Sequence, residues 1–162
     1  MRFFRPAAAR VTLVNVDEAP ALADLYQRAW ADCDATLDRR LVDDQRASLE
    51  DVRAWLSGGF EVYKTTHEGQ LTGALRCSFP SSTCHLDRLA VDPDMRRRGH
   101  GASLVAHGVG RARRAGVSRV WVELCPKLQD TLALFKQLGF REAGRYQAGY
   151  WGEPVLLLEL GL

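Results

Sequence analysis

The sequence lacks several features that would place it in a specialised class of protein. No hydrophobic run approaches the roughly 20 apolar residues that a membrane-spanning helix needs. Arginines at positions 2, 5 and 10 are not followed by the continuous apolar stretch of a secretion signal. Internal repeats and low-complexity tracts are also missing. These absences predict a cytoplasmic protein without a membrane partner, and a length of 162 residues predicts a single domain over residues 1–162.

Cysteine and histidine are scarce and scattered. The four cysteines are Cys33, Cys77, Cys84 and Cys125. They form no C-x-x-C pair, so free thiols are expected. Cys84 and His85 are adjacent, and neighbours on a strand point to opposite faces. His100 and His107 lie seven residues apart, about 10 Å along a helix. No metal site is therefore predicted.

The net charge is small but unevenly distributed. A formal charge of +2 does not by itself favour nucleic acid. Seven arginines nevertheless fall between residues 96 and 119, which indicates a local anionic ligand. RNA binding through this cluster would need exposed aromatic rings for base stacking. Trp121 lies in a predicted buried strand, so no nucleic-acid partner is expected.

The hydrophobic pattern predicts a mixed α/β fold. The period changes from helical to alternating after Gly58 and Gly59. A loop or short helix is expected over residues 32–46. The predicted strands are 10–16, 60–66, 71–79, 84–91, 117–125, 141–146 and 154–160. The predicted helices are one from Glu18 to Ala31 capped by Asp17, one opened by Ser48 and Asp51, and two over 101–115 and 127–138. The order β-α-α-β-β-β-α-β-α-β-β predicts a mixed sheet with helices on both faces.

A turn that suits phosphate binding follows the strand 84–91. The sequence Arg96-Arg97-Arg98-Gly99-His100-Gly101-Ala102 comes directly before a predicted helix. Glycines let backbone N–H groups approach an anion, and the helix N-terminus favours phosphate oxygens. Arginines add charge-assisted hydrogen bonds. A dinucleotide fingerprint would need a glycine where Leu104 stands, and the Gly-Lys-Ser/Thr of a P-loop is missing.

The same stretch resembles the acetyl-CoA motif of the GNAT superfamily of N-acetyltransferases. Residues 86–105 look like its strand L-x-x-L-x-V-x-P followed by R-x-x-G-x-G-x-x-L. Residues 131–140, which end Leu-Phe-Lys-Gln-Leu-Gly-Phe, resemble the second signature of the family. Element order and length agree over essentially the whole chain. The resemblance implies a central, mostly antiparallel sheet with a splayed parallel pair and helices on both faces.

The resemblance also implies how acetyl-CoA is held. Main-chain groups of the segment Leu89-Ala90-Val91 would pair with the pantetheine arm as an added strand. Backbone amides from Arg97 to Ala102 would hold the pyrophosphate, with Arg96 close by. The thioester would lie where the strands 84–91 and 117–125 splay apart. The implied activity is transfer of an acetyl group from acetyl-CoA, as co-substrate, to an amine by direct attack.

Direct attack requires a neutral amine, and a lysine-type amine is only about 0.04% neutral at pH 7. A base or proton relay is therefore expected. In related enzymes of the family it lies at the positions of His85 and Asp87, and Glu123 on the neighbouring strand is an alternative. Alternation places His85, Asp87, Leu89 and Val91 on one face of the strand.

Two positions depart from the family pattern. Phe135 stands where a tyrosine commonly protonates the leaving thiolate, and is expected to be a core residue. Leu128 stands where an asparagine commonly contacts pantetheine. Neither side chain can donate a hydrogen bond. Tyr146, Tyr150 or water could supply the proton, or the thiolate could leave unassisted. A non-catalytic CoA-binding or regulatory domain is the alternative function.

The acceptor is the least defined part of the sequence. The acids that could attract a cationic amine are Asp32, Asp34, Asp38, Asp43 and Asp44, diluted by Arg39 and Arg40. The aromatics that could line the other side are Trp30, Tyr146, Tyr150 and Trp151. A small amine, an amino acid and a protein amine all remain open. The apolar strand 155–160 could pair across a homodimer or belong to the core.

Overall fold

The structure, a computed structural model, describes residues 8–33, 36–147 and 151–162. Within these residues the chain forms a seven-stranded sheet and five α-helices. The strands are β1 (Val11–Leu13), β2 (Glu61–His67), β3 (Gln70–Ser78), β4 (Thr83–Val91), β5 (Arg119–Leu124), β6 (Arg141–Gln147) and β7 (Pro154–Gly161). The helices are α1 (Ala19–Ala29), α2 (Arg39–Gln45), α3 (Leu49–Ser57), α4 (His100–Ala115) and α5 (Gln129–Gln137).

The sheet has the order β1-β2-β3-β4-β5-β7-β6. Strands β4 and β5 are parallel, and every other neighbouring pair is antiparallel. Neighbouring residues of β3 enter cores on opposite faces: Leu75 packs with residues of α4, and Ala74 with residues of α1 and α3. The predicted mixed sheet, with one parallel pair and helices on both faces, is confirmed.

The N-terminal half differs from the prediction in two details. Helix α1 begins at Ala19, after a short 3₁₀ turn over Val16–Glu18. Asn15, not Asp17, caps that turn, and the Glu18 carboxylate accepts the backbone N–H of Asn15 in return. The segment predicted as a loop or short helix contains α2, which Asp38 caps by accepting from the backbone N–H of Arg40.

A β-bulge in β4 corrects the predicted alternation. Ala74 faces Ala90 and Arg76 faces Asp87, so two residues of β4 oppose Leu75 alone. One of the two is Arg88, with a left-handed φ of 53°. The extra residue reverses the alternation beyond it. His85 and Asp87 therefore share the face towards α1 and α3, whereas Leu89 and Val91 turn towards α4.

Helix α4 packs closely on the sheet through Gly108. A Cβ atom at this position would lie 3.0 Å from Leu86 Cδ2 and 3.2 Å from Leu75 Cδ2, both in the core. At Gly110, on the same helix, the nearest atom would be the flexible end of Arg114 at 3.4 Å. Close approach of α4 to β3 and β4 therefore requires glycine at 108 and not at 110.

Replacing Gly108 by valine is expected to destabilise the fold by overpacking. Gly110→Val carries the same change in helix propensity on the same helix and serves as control. The free energy of unfolding, measured in urea, should be lower for Gly108→Val than for Gly110→Val by about 1–3 kcal/mol. Equal stability of the two variants would contradict the close packing at Gly108.

Candidate functional site

The parallel strands β4 and β5 separate halfway along their length. The register pairs His85 with Trp121 and Leu86 with Val122, and main-chain pairing ends there. Beyond this point a cleft of about 880 Å³ opens between the strands. Asp87 and Glu123 are the first residues after the separation, and both line the cleft. The predicted splay is thus confirmed, and it places two candidate bases at the same opening.

The arginine–glycine turn forms one end of this cleft. It is lined there by Arg96, Arg97, Gly99, His100, Gly101 and Ala102, and along β4 by Leu89, Ala90 and Val91. Arg98 is the one residue of the predicted CoA-binding set that does not line it. Helix α4 begins at His100, and Gly99 before it has a left-handed φ of 84° that favours glycine. Among the residues that the structure describes, no side chain caps the helix, so its first-turn amides lie at the cleft end without a side-chain acceptor there.

Gly101 has a packing role that the sequence did not reveal. A Cβ atom there would lie 3.1 Å from Leu134 Cδ2 of α5 and 3.8 Å from Val91 Cγ2. The bare backbone of Gly101 therefore lets the start of α4 lie beside β4 and α5. This close approach keeps the first-turn amides next to the open edge of β4.

The first two arginines of the turn are tied to neighbouring elements. Arg96 donates to the carbonyl of Ala29 at 2.7 Å and forms an ion pair of 3.2 Å with Asp32. It thus holds the end of α1 against the turn. Arg97 forms an exposed ion pair of 3.4 Å with Asp130 at the start of α5. Both guanidinium groups line the cleft, but the structure pairs each with a carboxylate.

His100 is a buried polar residue behind the turn. Its Nδ1 lies 3.0 Å from Thr65 Oγ1 and 3.3 Å from Thr72 Oγ1, and all three side chains are buried. Burial lowers the pKa of His100, and the positive charges of His67 and Arg98 lower it further. The neutral ring is therefore the favoured form, and it links the start of α4 to the hairpin of β2 and β3.

Asp87 is committed to an ion pair. The Arg76 guanidinium donates to both carboxylate oxygens, with a distance of 2.7 Å for Nε to Oδ1. Arg76 in turn lies over the rings of Trp55 and Phe60, 4.6 and 4.2 Å from their centroids. The carboxylate of Asp87 is therefore already engaged in a bidentate, partly buried ion pair.

His85 lies just outside the cleft. Its ring stacks on Trp121 with 3.9 Å between centroids and an interplanar angle of 15°. Nδ1 is 3.9 Å from Asp87 Oδ2, and among the described residues the buried Nε2 has no hydrogen-bond partner. Burial lowers the pKa of His85, although the carboxylates of Asp87 and Glu123 oppose the shift. The predicted base therefore stands behind the strand opening.

Glu123 is half-buried on β5 and lines the cleft. Its carboxylate accepts a hydrogen bond from the hydroxyl of Tyr146 on β6. Burial and this carboxylate raise the pKa of Tyr146 to about 12, so the hydroxyl keeps its proton. Within the described part of the chain no lysine or arginine pairs with Glu123. The carboxylate faces the cleft where the thioester was predicted.

The acids predicted to attract the acceptor are already paired with arginines. The pairs are Asp32 with Arg96, Asp38 with Arg40, Asp43 with Arg39 and Asp44 with Arg88. Arg40 lowers the pKa of Asp38 to about 2 through its side-chain hydrogen bond. Asp34 and Tyr150, also predicted for this region, lie outside the described residues. The acidic stretch is thus locally neutralised.

Phe135 and Leu128 both line the cleft. Phe135 is buried and packs edge-on against Phe140 with 5.0 Å between ring centroids, which confirms it as a core residue. Leu128 precedes α5 and belongs to a small apolar cluster with buried Leu37, Leu41 and Cys125. Burial raises the pKa of the Cys125 thiol, which therefore stays protonated.

Sequence reasoning missed two arginines that support the site. Arg76 holds Asp87, and Arg88 donates to the carbonyl of Asp44 from the bulge of β4. An antiparallel pairing of 71–79 with 84–91 could have suggested the partnership of Arg76 and Asp87. Its register depends on the bulge, for which the sequence gives no sign.

In the described ranges, no group of three or more His, Cys, Asp or Glu side chains could hold a metal ion. None of the helices described is long and apolar enough to cross a membrane.

The seven-stranded sheet with its splayed parallel pair is shared with known acetyltransferases. The model of the acetyltransferase (GNAT) family matches residues 19–140. The solved structure of yncA from Salmonella typhimurium with its cofactor acetyl-CoA superimposes with a TM-score of 0.74 at 18% identity, over 95% of this chain and 94% of that one. The chain belongs to the acetyltransferase (GNAT) family.

Two curated relatives from Escherichia coli (strain K12) differ in the amine they acetylate. The chain is 30% identical to the ribosomal protein bS18-alanine N-acetyltransferase over 81 residues, 50% of this chain and 55% of that enzyme. It therefore spans about half the length of that relative. It is also 30% identical to the peptidyl-lysine N-acetyltransferase YjaB over 128 residues, 78% of this chain and 80% of that protein.

Burial of His100 predicts acid sensitivity of the fold. Below the ordinary histidine pKa of 6.5 the unfolded chain binds a proton that the folded chain resists, so stability falls as pH falls. The pKa values of His85 and His107 are lowered by burial in the same direction. His100→Gln should therefore lose less of its free energy of unfolding than wild type between about pH 7.5 and about pH 5. If urea melts showed that wild type and His100→Gln lose the same free energy of unfolding between the two pH values, His100 would not contribute to the acid sensitivity.

Proposed function

We propose that residues 1–162 act as one catalytic domain that transfers an acetyl group from acetyl-CoA to a primary amine. The observation that carries this function is the cleft between β4 and β5. It joins Glu123, a carboxylate with no cationic partner among the described residues, to the N-terminus of α4. Family membership and the acetyl-CoA complex of yncA support acetyl-CoA as the donor. The proposal extends to which residues carry out each step.

Acetyl-CoA is held mainly by backbone groups. The amides at the start of α4, from His100 to Ala102, offer hydrogen bonds and the positive end of the helix dipole to the pyrophosphate. The edge of β4 from Leu89 to Val91 no longer pairs with β5, so its main-chain groups can bond an extended pantetheine arm. Arg97 adds positive charge at the rim of the cleft, where its guanidinium releases Asp130 and binds a phosphate instead. Arg98, which does not line the cleft, has no assigned contact.

Glu123 is the base in this proposal. The acceptor arrives as an ammonium ion and must lose a proton before its nitrogen can attack the thioester carbonyl. Glu123 can take this proton directly or through one water. Tyr146 holds the carboxylate by its hydroxyl and so fixes the direction in which the free oxygen points. Asp87, through its ion pair with Arg76, and His85, through its stacking on Trp121, stabilise the strand opening behind Glu123.

The leaving thiolate does not require a tyrosine at position 135. An ammonium acceptor carries three N–H protons, and the amide product keeps one. The first proton goes to Glu123, and attack makes the remaining nitrogen protons acidic, so the second can pass to the departing sulfur. The C–N bond forms, the C–S bond breaks, and CoA leaves as a thiol. A thiol pKa near 8.5 also makes the thiolate a tolerable leaving group.

A non-catalytic CoA-binding domain is the second candidate function. It is favoured by Phe135 and Leu128, since neither offers a hydrogen bond in the cleft. This alternative predicts acetyl-CoA binding without release of thiol in the presence of any amine. Because the acceptor nitrogen can itself supply the proton for the departing sulfur, phenylalanine at position 135 is compatible with catalysis.

Gly101→Glu should abolish tight acetyl-CoA binding by placing a carboxylate beside the pyrophosphate. Because a side chain at 101 also crowds Leu134, Gly101→Ala measures the steric part alone, and Ala106→Glu controls for added charge on exposed helix surface. Isothermal titration should show an increase in Kd of at least about tenfold for Gly101→Glu over Gly101→Ala, consistent with like charges at close range. Wild-type affinity in Gly101→Glu would remove the turn from the binding site.

Glu123→Gln should lower kcat by roughly 10²–10⁴-fold while leaving acetyl-CoA affinity unchanged. The residual rate should rise with pH up to the pKa of the amine, because the neutral amine then forms in solution. Glu159→Gln, an equivalent change at an ion pair with Arg119 outside the cleft, is the control and should retain wild-type activity. Thiol release measured across an amine panel provides both readouts. Full activity in Glu123→Gln would refute the assignment of the base.

A further inference from the structure

The charges around the cleft define what kind of acceptor it can take. Four carboxylates of the described residues line it, and arginines hold three of them: Arg96 holds Asp32, Arg76 holds Asp87 and Arg97 holds Asp130. The fourth is Glu123, which has the Tyr146 hydroxyl and, among the described residues, no cationic partner. The described part of the opening thus offers one uncompensated negative charge. It can neutralise one ammonium group, and a second cation would find no free carboxylate among the described lining residues.

The cleft wall beyond Glu123 is apolar. We call it the acceptor wall, and it consists of Trp30, Leu37, Leu41, Leu128 and Trp151. Trp30 directly follows α1, Leu37 and Leu41 lie just before and within α2, Leu128 directly precedes α5, and Trp151 lies in the segment before β7. The two leucines at 37 and 41 are buried, whereas both tryptophans are half-buried. Part of each indole is therefore available to a ligand.

The cations near this wall are also paired. Lys127 bonds Glu153, and Arg88 bonds Asp44. A ligand group at the acceptor wall consequently meets apolar carbon and aromatic faces, with neutralised charges around it. Apolar groups gain from leaving water at such a surface, whereas a charged group would lose hydration without gaining a partner.

Resting on the proposed function, we infer that the acceptor is a singly charged primary amine with an apolar or aromatic group near the amine. The ammonium faces Glu123, and the apolar group lies against the half-buried indoles of Trp30 and Trp151. This chemistry has two sources, a free arylalkylamine or the N-terminal amine of a peptide that begins with an apolar residue. Polyamines and other polycations are disfavoured, because Glu123 is the one lining carboxylate without a cationic partner among the described residues.

Three matched comparisons of kcat/KM by thiol release test the inference. The ratio of kcat/KM for phenethylamine to that for ethylamine measures the effect of the apolar group. The ratio for butylamine to 1,4-diaminobutane measures the effect of a second charge at equal chain length. We expect a preference of at least about tenfold for phenethylamine, the scale at which hydrophobic pockets discriminate, and a clear preference for butylamine. A tripeptide with N-terminal phenylalanine, compared with phenethylamine, distinguishes a peptide from a free amine as the source.

The variants Trp30→Ala and Trp151→Ala test whether the acceptor wall causes the preference for phenethylamine. In both variants the ratio of phenethylamine to ethylamine should fall towards one, while the Kd for acetyl-CoA stays within about twofold of wild type. The ratio is independent of the fraction of folded enzyme, so partial unfolding cannot imitate the result. Absence of turnover with every amine would refute the proposed function. Turnover with equal use of phenethylamine and ethylamine, preference for the diamine, or an unchanged ratio in both variants would overturn this inference alone.

Discussion

The end of main-chain pairing between β4 and β5 is the constraint on which the site depends. After Leu86 and Val122 the two strands diverge, while β4 continues to pair with β3 and β5 with β7. Each strand therefore keeps one bonded edge and presents one open edge inside the sheet. An unpaired, buried backbone group costs about 1–3 kcal/mol, so these edges favour a ligand that can complete the ladder. An amide-containing pantetheine arm has the hydrogen-bonding groups for this.

The bulge at Arg88 connects this opening to the helices on the acceptor side. Its carbonyl accepts the hydroxyl of buried Tyr26 in α1, and its guanidinium bonds Asp44 in α2. The same residue reverses the alternation of β4. Asp87 therefore faces α1 and α3, while Leu89 and Val91 face α4 and the donor side. One extra residue in a strand thus places the Asp87 side chain on one face of the sheet and those of Leu89 and Val91 on the other.

Much of the fold could be predicted because its signals are local. The change of period after Gly59 indicates the hairpin, and glycines at 99 and 101 after a strand indicate the turn before α4. The bulge could not be predicted, because Arg88 adopts a left-handed φ that its residue type does not favour and that tertiary contacts stabilise. The proposal of Glu123 over the other two candidate bases also could not come from the sequence, since it depends on which carboxylate has an arginine partner. Asp87 and Glu123 look alike until Arg76 is placed.

The pairing of charges has a consequence for the reaction itself. An ammonium beside Glu123 forms a neutral pair, and after proton transfer it becomes a neutral amine beside a carboxylic acid. The acceptor half of the cleft thus keeps the same net charge through deprotonation, which avoids the cost of creating charge near apolar walls. A lysine or arginine bonded to Glu123 would make the same transfer less favourable by stabilising the carboxylate. In the proposed site, a carboxylate without a cationic partner among the described residues and an apolar acceptor wall are therefore physically compatible.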